Sequence, residues 1–167
     1  PDPAFDRLDP PLFDREKVPP EQQATIFAVG GDRVNTAPQV VMINTLLLRE
    51  HNRLAGDIVE AYPDWDDERV FQTTRNTLIV LFIKIVIEEY ISHIGATPFR
   101  FRADPSAAWN KTWNREVWIT TEFSLLYRWH SLVPATLRWG DTTLPVHDTL
   151  HNNALLITRG LVGAFED

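Results

Sequence analysis

The sequence contains no cysteine, which excludes disulfide bonds, thiolate metal ligands and cysteine nucleophiles. It also lacks an excess of basic residues: 23 Asp and Glu stand against 16 Lys and Arg, giving a formal net charge of −7. Such a chain offers no general field that attracts a phosphate backbone, so nucleic-acid binding is not expected. The GxGxxG, P-loop and GxSxG signatures are absent as well, which removes the local evidence for dinucleotide, nucleotide and hydrolase sites.

Long hydrophobic runs are missing too. The longest covers residues 78–87 and is interrupted by Lys84, whereas a helix that crosses a bilayer needs about 20 apolar residues. We therefore expect no transmembrane segment. The first residue is not Met, and the chain starts within a proline-rich stretch, which indicates an excerpt or processed piece of a longer protein.

What is present suffices for one domain: 167 residues, of which 44% are apolar. Prolines are concentrated near the start, and residues 1–24 show no sustained hydrophobic period. We predict an extended, proline-rich arm over 1–24, because neither a helix nor a strand can be argued there. Residues 25–167 are predicted to form the folded, mainly α-helical part.

Three long helices are predicted from the spacing of apolar residues. The first covers about 38–62, with Pro38 in its first turn after a Gly-Gly-Asp turn. The second covers roughly 66–94; it follows an acidic cap and is apolar around most of its circumference, so it is predicted to be mostly buried. The third runs from 115 to about 133 and ends before Pro134.

The other segments are shorter. Residues 95–110 have the composition of a connection with little regular structure. Residues 135–148 alternate around Gly140-Asp141, which favours a small hairpin over a loop. Residues 152–165 return to helical spacing, with a break near Gly160. The predicted fold class is therefore mainly α, with at most a small β-hairpin.

Clusters of titratable residues give little support for a metal site. His147 and His151 are four residues apart but lack a third ligand, which favours a surface or capping role. The acidic run 64–68 lacks the glycine and ligand order of an EF-hand loop and is interpreted as a helix cap. On the first helix, three charged residues predict a buried or half-buried ion-pair set that fixes helix geometry: Arg49, Glu50 and Arg53.

The segment EFSLLYRWHSLVP suggests a redox cofactor. It places Tyr127 three residues before His130, about 4.5 Å away along the axis of the predicted helix. A histidine in apolar surroundings prefers to be neutral, and a neutral imidazole can ligate haem iron. From these residues alone, the simpler interpretation is a core histidine bonded to a carbonyl, with Tyr127 packed beside it.

Several segments, in order, resemble the animal-type haem peroxidase superfamily and, within it, the cyclooxygenase-like branch of fatty-acid dioxygenases. They are FAVGGDRVNTAPQ, TLLLREHNRLA, LIVLFIKIVIEEYISHI, EFSLLYRWHSLVP and HNNALLITRG, and the similarity extends over about 19–167. The resemblance implies that residues 25–167 are part of a haem peroxidase catalytic domain and that the fold is an excerpt of that helical fold.

The resemblance also implies roles for individual residues. His130 would be the proximal ligand of the haem iron, and Tyr127 the residue oxidised to a tyrosyl radical. Arg33 resembles the distal arginine that polarises bound peroxide, a task suited to a guanidinium at a dry site. The structural alternative, in which Arg33 only bonds turn carbonyls, stays open. Three further positions are implied to contact the haem: Val34, Leu126 and Trp129.

Two positions depart from the family pattern. Thr36 stands where members with covalent haem carry glutamate, so the resemblance implies a non-covalent haem b. Arg128 stands where prostaglandin synthases carry histidine, which counts against prostaglandin-type product chemistry. The family's distal histidine is expected upstream of these residues. The rest of the parent chain is then needed to complete the haem pocket, and the excerpt alone is expected to be inactive.

The implied function is a haem-dependent fatty-acid dioxygenase with peroxidase activity, in which a tyrosyl radical abstracts hydrogen from a lipid that then captures O₂. Two alternatives remain: a plain haem peroxidase, in which Tyr127 only packs, and a non-catalytic helical fragment without a complete haem pocket. The implied partners are a fatty acid with O₂, or peroxide. The sequence leaves open whether the protein is a homo-oligomer.

Overall fold

The computed structural model describes residues 20–27, 33–95, 98–110, 112 and 114–166. Its α-helices are α1 (Pro20–Gln23), α2 (Pro38–Ala61), α3 (Asp67–Lys84), α4 (Ile91–Ile94), α5 (Thr121–Leu126), α6 (Val146–Thr149) and α7 (Ala154–Glu166). The strands are β1 (Thr136–Trp139) and β2 (Thr142–Pro145). The other helical segments are three 3₁₀ turns, Val34–Thr36, Pro105–Trp109 and Trp129–Leu132, and one π-helical segment, Ile85–Tyr90. The mainly α fold class is confirmed.

The chain divides into two compact units. The first comprises the described residues within Pro1–Leu46 and Trp129–Asp167, and the second comprises Leu47–Arg128. In the first unit, a small core contains four buried side chains, with Phe27, Val34 and Leu155 packed against it. The four are Val41, Met42, Trp139 and Leu156. This core joins the start of α2, the end of β1 and α7.

The predicted hairpin is confirmed in the first unit. β1 and β2 pair antiparallel, with Leu137 opposite Leu144 and Trp139 opposite Thr142. The turn between them requires Gly140, whose φ is +55°, a left-handed conformation that glycine adopts without steric cost. The break predicted in the last helix is also confirmed, because α7 is kinked at Gly160, where φ is +70°.

The first two long helices begin and end close to the predicted residues. Pro38 begins α2, and its fixed φ suits the first helical position. Asp66 caps α3: its side chain accepts a hydrogen bond from the Arg69 backbone N–H at 2.8 Å. Beyond Lys84 the helix continues through the π-helical segment into α4, which ends before Gly95. The acidic run therefore acts as a helix cap, as predicted.

The prediction that the second long helix is mostly buried is wrong. Only Val70 and Thr74 are buried along α3, and neither the π-helical segment nor α4 contains a buried residue. The exposed apolar residues include Phe71, Val80 and Phe82. Apolar residues do occupy much of the helix circumference, as the spacing predicts. Their burial, however, needs a partner surface, which the described residues of this unit do not supply.

The third predicted helix is also largely wrong. Residues 116–120 have no regular structure, and α5 begins only after Thr120, whose hydroxyl accepts a hydrogen bond from the Phe123 N–H at 3.1 Å. α5 ends at Leu126; its C-cap, Tyr127, has a non-helical ψ of 69°, and a 3₁₀ turn, Trp129–Leu132, follows. Thr120 is a cap within the apolar pattern, and a helix that starts there has room for fewer than two turns before it breaks.

The remaining segments mostly match the predictions. Residues 98–110 contain one 3₁₀ turn, Pro105–Trp109, and no other regular structure. The extended arm is wrong at its end, where Pro20–Gln23 form α1, because proline is well suited to the first turn of a helix. Residues 1–19 of that arm, and the Gly-Gly-Asp turn at 30–32, lie outside the described residues. Among the helices that are described, none combines the length and apolar character needed to span a bilayer.

Candidate functional site

Arg33 begins a tight 3₁₀ turn, Val34–Thr36, immediately before α2. The carbonyl of Arg33 accepts two hydrogen bonds, one from the Thr36 N–H at 3.2 Å and one from the Thr36 hydroxyl at 2.6 Å. The Arg33 side chain is exposed, and in the described part of the chain its guanidinium forms no hydrogen bond or ion pair. The backbone at Arg33 is thus held closely, while its charged group is available to a ligand.

A buried polar cluster lies next to this turn. Asn35 is 1% exposed and Asn153 is 0% exposed. Oδ1 of Asn35 accepts from the Phe27 N–H at 2.9 Å, and Nδ2 of Asn35 donates to the Phe27 carbonyl at 2.9 Å. Nδ2 of Asn153 donates to Oδ1 of Asn35 and to the carbonyl of Thr25, both at 3.1 Å. The hydroxyl of Thr25 accepts from the Asn153 N–H at 3.2 Å.

A second contact joins the same parts of the chain. The N–H of His151 donates to the carbonyl of Thr36 at 3.2 Å. His151 has a φ of +54°, in the left-handed region that residues with a Cβ adopt only at a cost of about 1–3 kcal/mol. Together with the asparagine cluster, this bond connects three segments: 25–27, 33–36 and 151–153. The surrounding bonds compensate the local strain at His151.

Tyr127 lies at the end of α5 in the second unit. Its ring stacks on Phe123 at 4.9 Å between centroids and an interplanar angle of 13°. Its phenol oxygen lies 3.1 Å from the phenol oxygen of Tyr90, the last residue of the π-helical segment. This hydrogen bond with Tyr127 raises the pKa of Tyr90, and desolvation adds to the shift. Tyr127 is therefore oriented by a ring and a hydroxyl from two separate helical segments.

The π-helical segment holds a second anchor close to Tyr90. Oε1 of Glu88 accepts a hydrogen bond from the Ala103 N–H at 3.1 Å. Ile91 closes the wide turn by donating its N–H to the carbonyl of Val86, five residues earlier. Single π-helical turns within α-helices are found frequently at functional sites, because they change the direction of the side chains that they carry.

His130 lies in the 3₁₀ turn Trp129–Leu132, three residues after Tyr127 in the sequence. The predicted helix that would carry both residues is not present, because α5 ends at Leu126 and Tyr127 is its C-cap. Within the described residues, the imidazole of His130 has no hydrogen-bond or ionic partner, so both of its nitrogens are available. Leu126 is 84% exposed and Trp129 is 49% exposed. An imidazole that has no partner in the described residues offers the nitrogen donor that a haem ligand needs.

Val34 has a different environment from the other predicted haem contacts. Its side chain packs against the core cluster of the first unit and is partly buried there. Leu126, by contrast, is mostly exposed, and about half of the Trp129 surface is exposed. The haem-contacting role of all three residues stays a prediction, and Val34 in addition has a structural role.

The predicted ion-pair set on α2 is present, but its membership and burial differ from the prediction. Arg53 pairs with Glu50 at 2.8 Å and with Asp57 at 2.7 Å, and the three side chains are 29–60% exposed. Arg49 is not part of the set. The hydrogen bond from Arg53 lowers the pKa of Glu50. Exposed pairs of this kind are screened by water, so the set gives α2 only modest support and shows no sign of catalysis.

No metal site with several protein ligands occurs in the described residues, since no group of three His, Asp or Glu side chains converges there. His147 pairs with Asp148 at 2.7 Å on the surface, and His151 lies outside α6, so the two histidines do not share a helical face. His147 is exposed, as predicted, whereas His151 is half-buried and donates its backbone N–H to the carbonyl of Thr36.

Three residues of the site were missed by the sequence analysis: Tyr90, Asn35 and Asn153. Tyr90 follows two glutamates in an apolar helix. Its hydroxyl, a polar group on an apolar helix that needs a hydrogen-bond partner, was the signal that could have identified it. Asn153 directly precedes the helical spacing of 154–165, which suggests only a cap. Its pairing with Asn35, 118 residues earlier, has no local signal in the sequence.

Comparison with known proteins places this chain in a family. The family model described as animal haem peroxidase matches residues 6–165. Prostaglandin G/H synthase 2 of Cavia porcellus is 40% identical over 135 residues, which are 81% of this chain and 22% of that protein. Prostaglandin G/H synthase 1 of Mus musculus is 38% identical over 151 residues, 89% of this chain and 25% of that protein. The chain thus spans about a quarter of the length of these relatives.

A solved structure agrees with the family match. Peroxidase A from Dictyostelium discoideum aligns with a TM-score of 0.64 and 29% sequence identity, covering 92% of this chain and 30% of that one. The family match spans nearly all of the sequence, and it includes the turn at Arg33, the helix α2 and the Tyr127 to His130 segment. This chain belongs to the animal haem peroxidase family.

Proposed function

We propose that the whole protein is a haem-dependent fatty-acid dioxygenase with peroxidase activity, in which Tyr127 forms the radical that attacks the lipid. The observation that carries this proposal is the environment of Tyr127. Its phenol lies 3.1 Å from the phenol of Tyr90, and its ring stacks on Phe123. A tyrosine used only for packing has no need of a second phenol against its hydroxyl, whereas a redox tyrosine needs a defined hydroxyl position.

The chemistry at Tyr127 is a hydrogen-atom transfer. Haem, when bound, supplies the peroxide-driven oxidising power. Tyr127 loses one electron and the proton of its hydroxyl to become a neutral radical. That radical takes a hydrogen atom from a lipid carbon, which restores the phenol and leaves a carbon radical that captures O₂. Tyr90 contributes by holding the oxygen of Tyr127 in one direction through the 3.1 Å contact.

Arg33 is proposed to polarise the bound peroxide. Its carbonyl is fixed by Thr36, while its guanidinium has no partner within the described residues, so the charge can stabilise a leaving oxygen. The exposed guanidinium argues against the alternative in which Arg33 serves only to bond turn carbonyls. Thr36 has no carboxylate, and its hydroxyl already donates to Arg33, which supports a haem b held without a covalent bond at this position.

His130 is proposed as the proximal ligand of that haem, with Leu126, Trp129 and Val34 as neighbouring contacts. An imidazole that has no partner in the described residues can offer one nitrogen to the iron. The exposed apolar side chains around it require a cover, which we assign to the haem and to other parts of the whole protein. The distal histidine is likewise assigned to those other parts.

A plain haem peroxidase is the second candidate. It is favoured by the similarity to Peroxidase A from Dictyostelium discoideum. In this case Tyr127 has only a packing role, and lipid oxygenation is absent while peroxide reduction remains. The two candidates therefore differ in what the hydroxyl of one residue does.

Replacing Tyr127 by Phe tests the proposal in the whole, haem-loaded protein. Phe keeps the ring stacked on Phe123 but cannot form a phenoxyl radical. We expect an unchanged haem spectrum, retained oxidation of small reducing substrates, and loss of oxygen uptake with fatty acids. Tyr62→Phe is the matched control, since Tyr62 stacks on Trp65 in the turn after α2. Oxygenation near the wild-type rate in Tyr127→Phe would assign the protein to the plain peroxidases.

A further inference from the structure

We propose that Asn153, acting through Asn35, is a positioning residue that holds the turn bearing Arg33 in its working geometry. The inference rests on the proposed function, because it concerns the arginine assigned to peroxide. Asn153 lies at the start of α7, far from Arg33 in the sequence, and its side chain is fully buried. No local pattern connects the two residues, so the connection comes from the fold.

The directions of the hydrogen bonds fix both amide groups. Phe27 presents its N–H and its carbonyl to Asn35, so Oδ1 of Asn35 must face the N–H and Nδ2 must face the carbonyl. The carbonyl of Thr25 can only accept, so Nδ2 of Asn153 must face it. From there Nδ2 also reaches Oδ1 of Asn35 at 3.1 Å. This arrangement defines one orientation for Asn35, because a turned amide would lose both bonds to Phe27. Within the described residues, Oδ1 of Asn153 is buried without a hydrogen-bond partner.

Asn35 transmits this position to Arg33 over a very short distance along the chain. It is the central residue of the 3₁₀ turn Val34–Thr36, which Arg33 begins. The carbonyl of Arg33 is bonded to Thr36, and the carbonyl of Thr36 is bonded to the N–H of His151. The turn is therefore held by two bonds from neighbouring residues. The side chain of Asn153 bonds to Asn35, and the backbone N–H of His151 bonds to Thr36.

The strained backbone of His151 supports a positioning role over simple packing. A left-handed φ of +54° at a residue with a Cβ is retained only where neighbouring contacts require it. This conformation directs the His151 N–H at the carbonyl of Thr36, in the turn that follows Arg33. His151 is two residues before Asn153. Because the guanidinium of Arg33 has no partner in the described residues, the direction of its side chain depends on this backbone.

The experiment is a double-mutant cycle in the whole, haem-loaded protein, using the variants Asn153→Ala, Arg33→Ala and both together. We expect Asn153→Ala to lower kcat/KM for hydrogen peroxide by about 10- to 100-fold, as a displacement of ~1 Å of a catalytic group can do. In the Arg33→Ala background the same change should cost less than about twofold, since the residue through which it acts is gone. Asn152→Ala is the matched control, because among the described residues the Asn152 side chain bonds to Asp148 and Ala154 of its own segment.

The position of the turn is measured independently of turnover. Amide hydrogen exchange of residues 33–36, in the haem-free protein, should become at least about 10-fold faster in Asn153→Ala and stay unchanged in Asn152→Ala. Unchanged exchange in Asn153→Ala overturns the inference. A cycle in which the two substitutions are additive overturns it as well, while the proposed role of Arg33 survives. If Arg33→Ala itself leaves peroxide reduction intact, that role fails first and the inference falls with it.

A milder pair of variants covers the case in which Asn153→Ala does not fold. Thr25→Val removes the hydroxyl that accepts the Asn153 N–H, whereas Thr25→Ser keeps a hydroxyl at that place. We expect Thr25→Val to raise exchange at residues 33–36 and to lower kcat/KM for peroxide about threefold or more, with the haem spectrum unchanged, and Thr25→Ser to restore both. Equal behaviour of the two variants contradicts the inference.

Discussion

The turn that carries Arg33 and the stretch 120–132 that carries Tyr127 and His130 are held by different kinds of contact. Around Arg33, buried hydrogen bonds join residues more than a hundred positions apart in the sequence, as between Thr25 and Asn153. Around Tyr127, the contacts are a helix cap, a stacked ring and a phenol pair, and the side chains that form them are exposed to solvent. Buried directional bonds resist rearrangement far more than exposed ones, which compete with water.

This difference suggests that the two segments depend on different partners for their order. The segment that would meet peroxide is positioned by the chain's own interior, whereas the segment that would meet haem and lipid has its apolar side chains outward. Leu126 and Trp129 have much to gain from a ligand that covers them. We therefore expect haem to order the stretch 120–132 and to leave the turn of Arg33 nearly unchanged.

The largest expected effect is at His130. Replacing His130 by Ala in the whole protein removes the proposed protein bond to the iron, so haem binding or its characteristic Soret absorption should be lost. The matched control is His93→Ala, an exposed histidine on α4, which should keep the spectrum of the wild type. A normal histidine-ligated spectrum in His130→Ala would place the ligand elsewhere and would remove the contrast between the two segments.

An intermediate effect is expected at Arg33. Arg33→Ala should keep the haem spectrum but slow peroxide reduction by about 10²- to 10³-fold, the loss typical of a preorganised donor at a developing charge. Arg33→Lys should recover only part of the rate, because an ammonium lacks the planar fork of a guanidinium. Arg75→Ala, on the exposed side of α3, serves as the control. Peroxide kinetics that do not change in Arg33→Ala would return this residue to a structural role.

The smallest expected effect concerns the phenol pair. The hydrogen bond with Tyr127 raises the pKa of Tyr90, so Tyr127→Phe should let that pKa fall back towards the ordinary tyrosine value of about 10. A raised folded-state pKa means that the contact stabilises the fold below pH ~10 and that this contribution is lost as the pH rises through the folded value. Titration by NMR of ¹³C-labelled tyrosine measures the shift, with Tyr62→Phe as the control. A midpoint for Tyr90 that stays in place would show that the pair does not form in solution.

Local signals in the sequence predicted much of the fold. Pro38 and the apolar spacing after it gave α2 to within one residue, and Gly140 marked the hairpin turn. The predicted third helix is wrong because Thr120, within its apolar pattern, acts as an N-cap, so that the helix begins only after it. The predicted burial of the second helix is wrong for another reason. A hydrophobic pattern shows that a helix is suited to packing against a partner surface, but not that such a surface is present.

The candidate site was predictable only in part. Tyr127, His130 and Arg33 came from a resemblance in sequence, and their roles stay predictions. The buried pairing of Asn35 with Asn153 was beyond reach, because two asparagines 118 residues apart carry no mutual signal until the chain folds. Tyr90 was missed for the same reason, since its hydroxyl is meaningful only next to that of Tyr127.

The π-helical segment Ile85–Tyr90 has a consequence for how this chain is compared with its relatives. A wide turn that bonds Ile91 to Val86 amounts to one residue inserted into a regular helix. Every side chain beyond such an insertion is rotated by about 100° relative to an uninterrupted α-helix. A relative lacking that extra residue would direct a different side chain at Tyr127 even if every aligned residue were identical. In this helix, the evolution of the site can proceed by changes in length as well as by substitution.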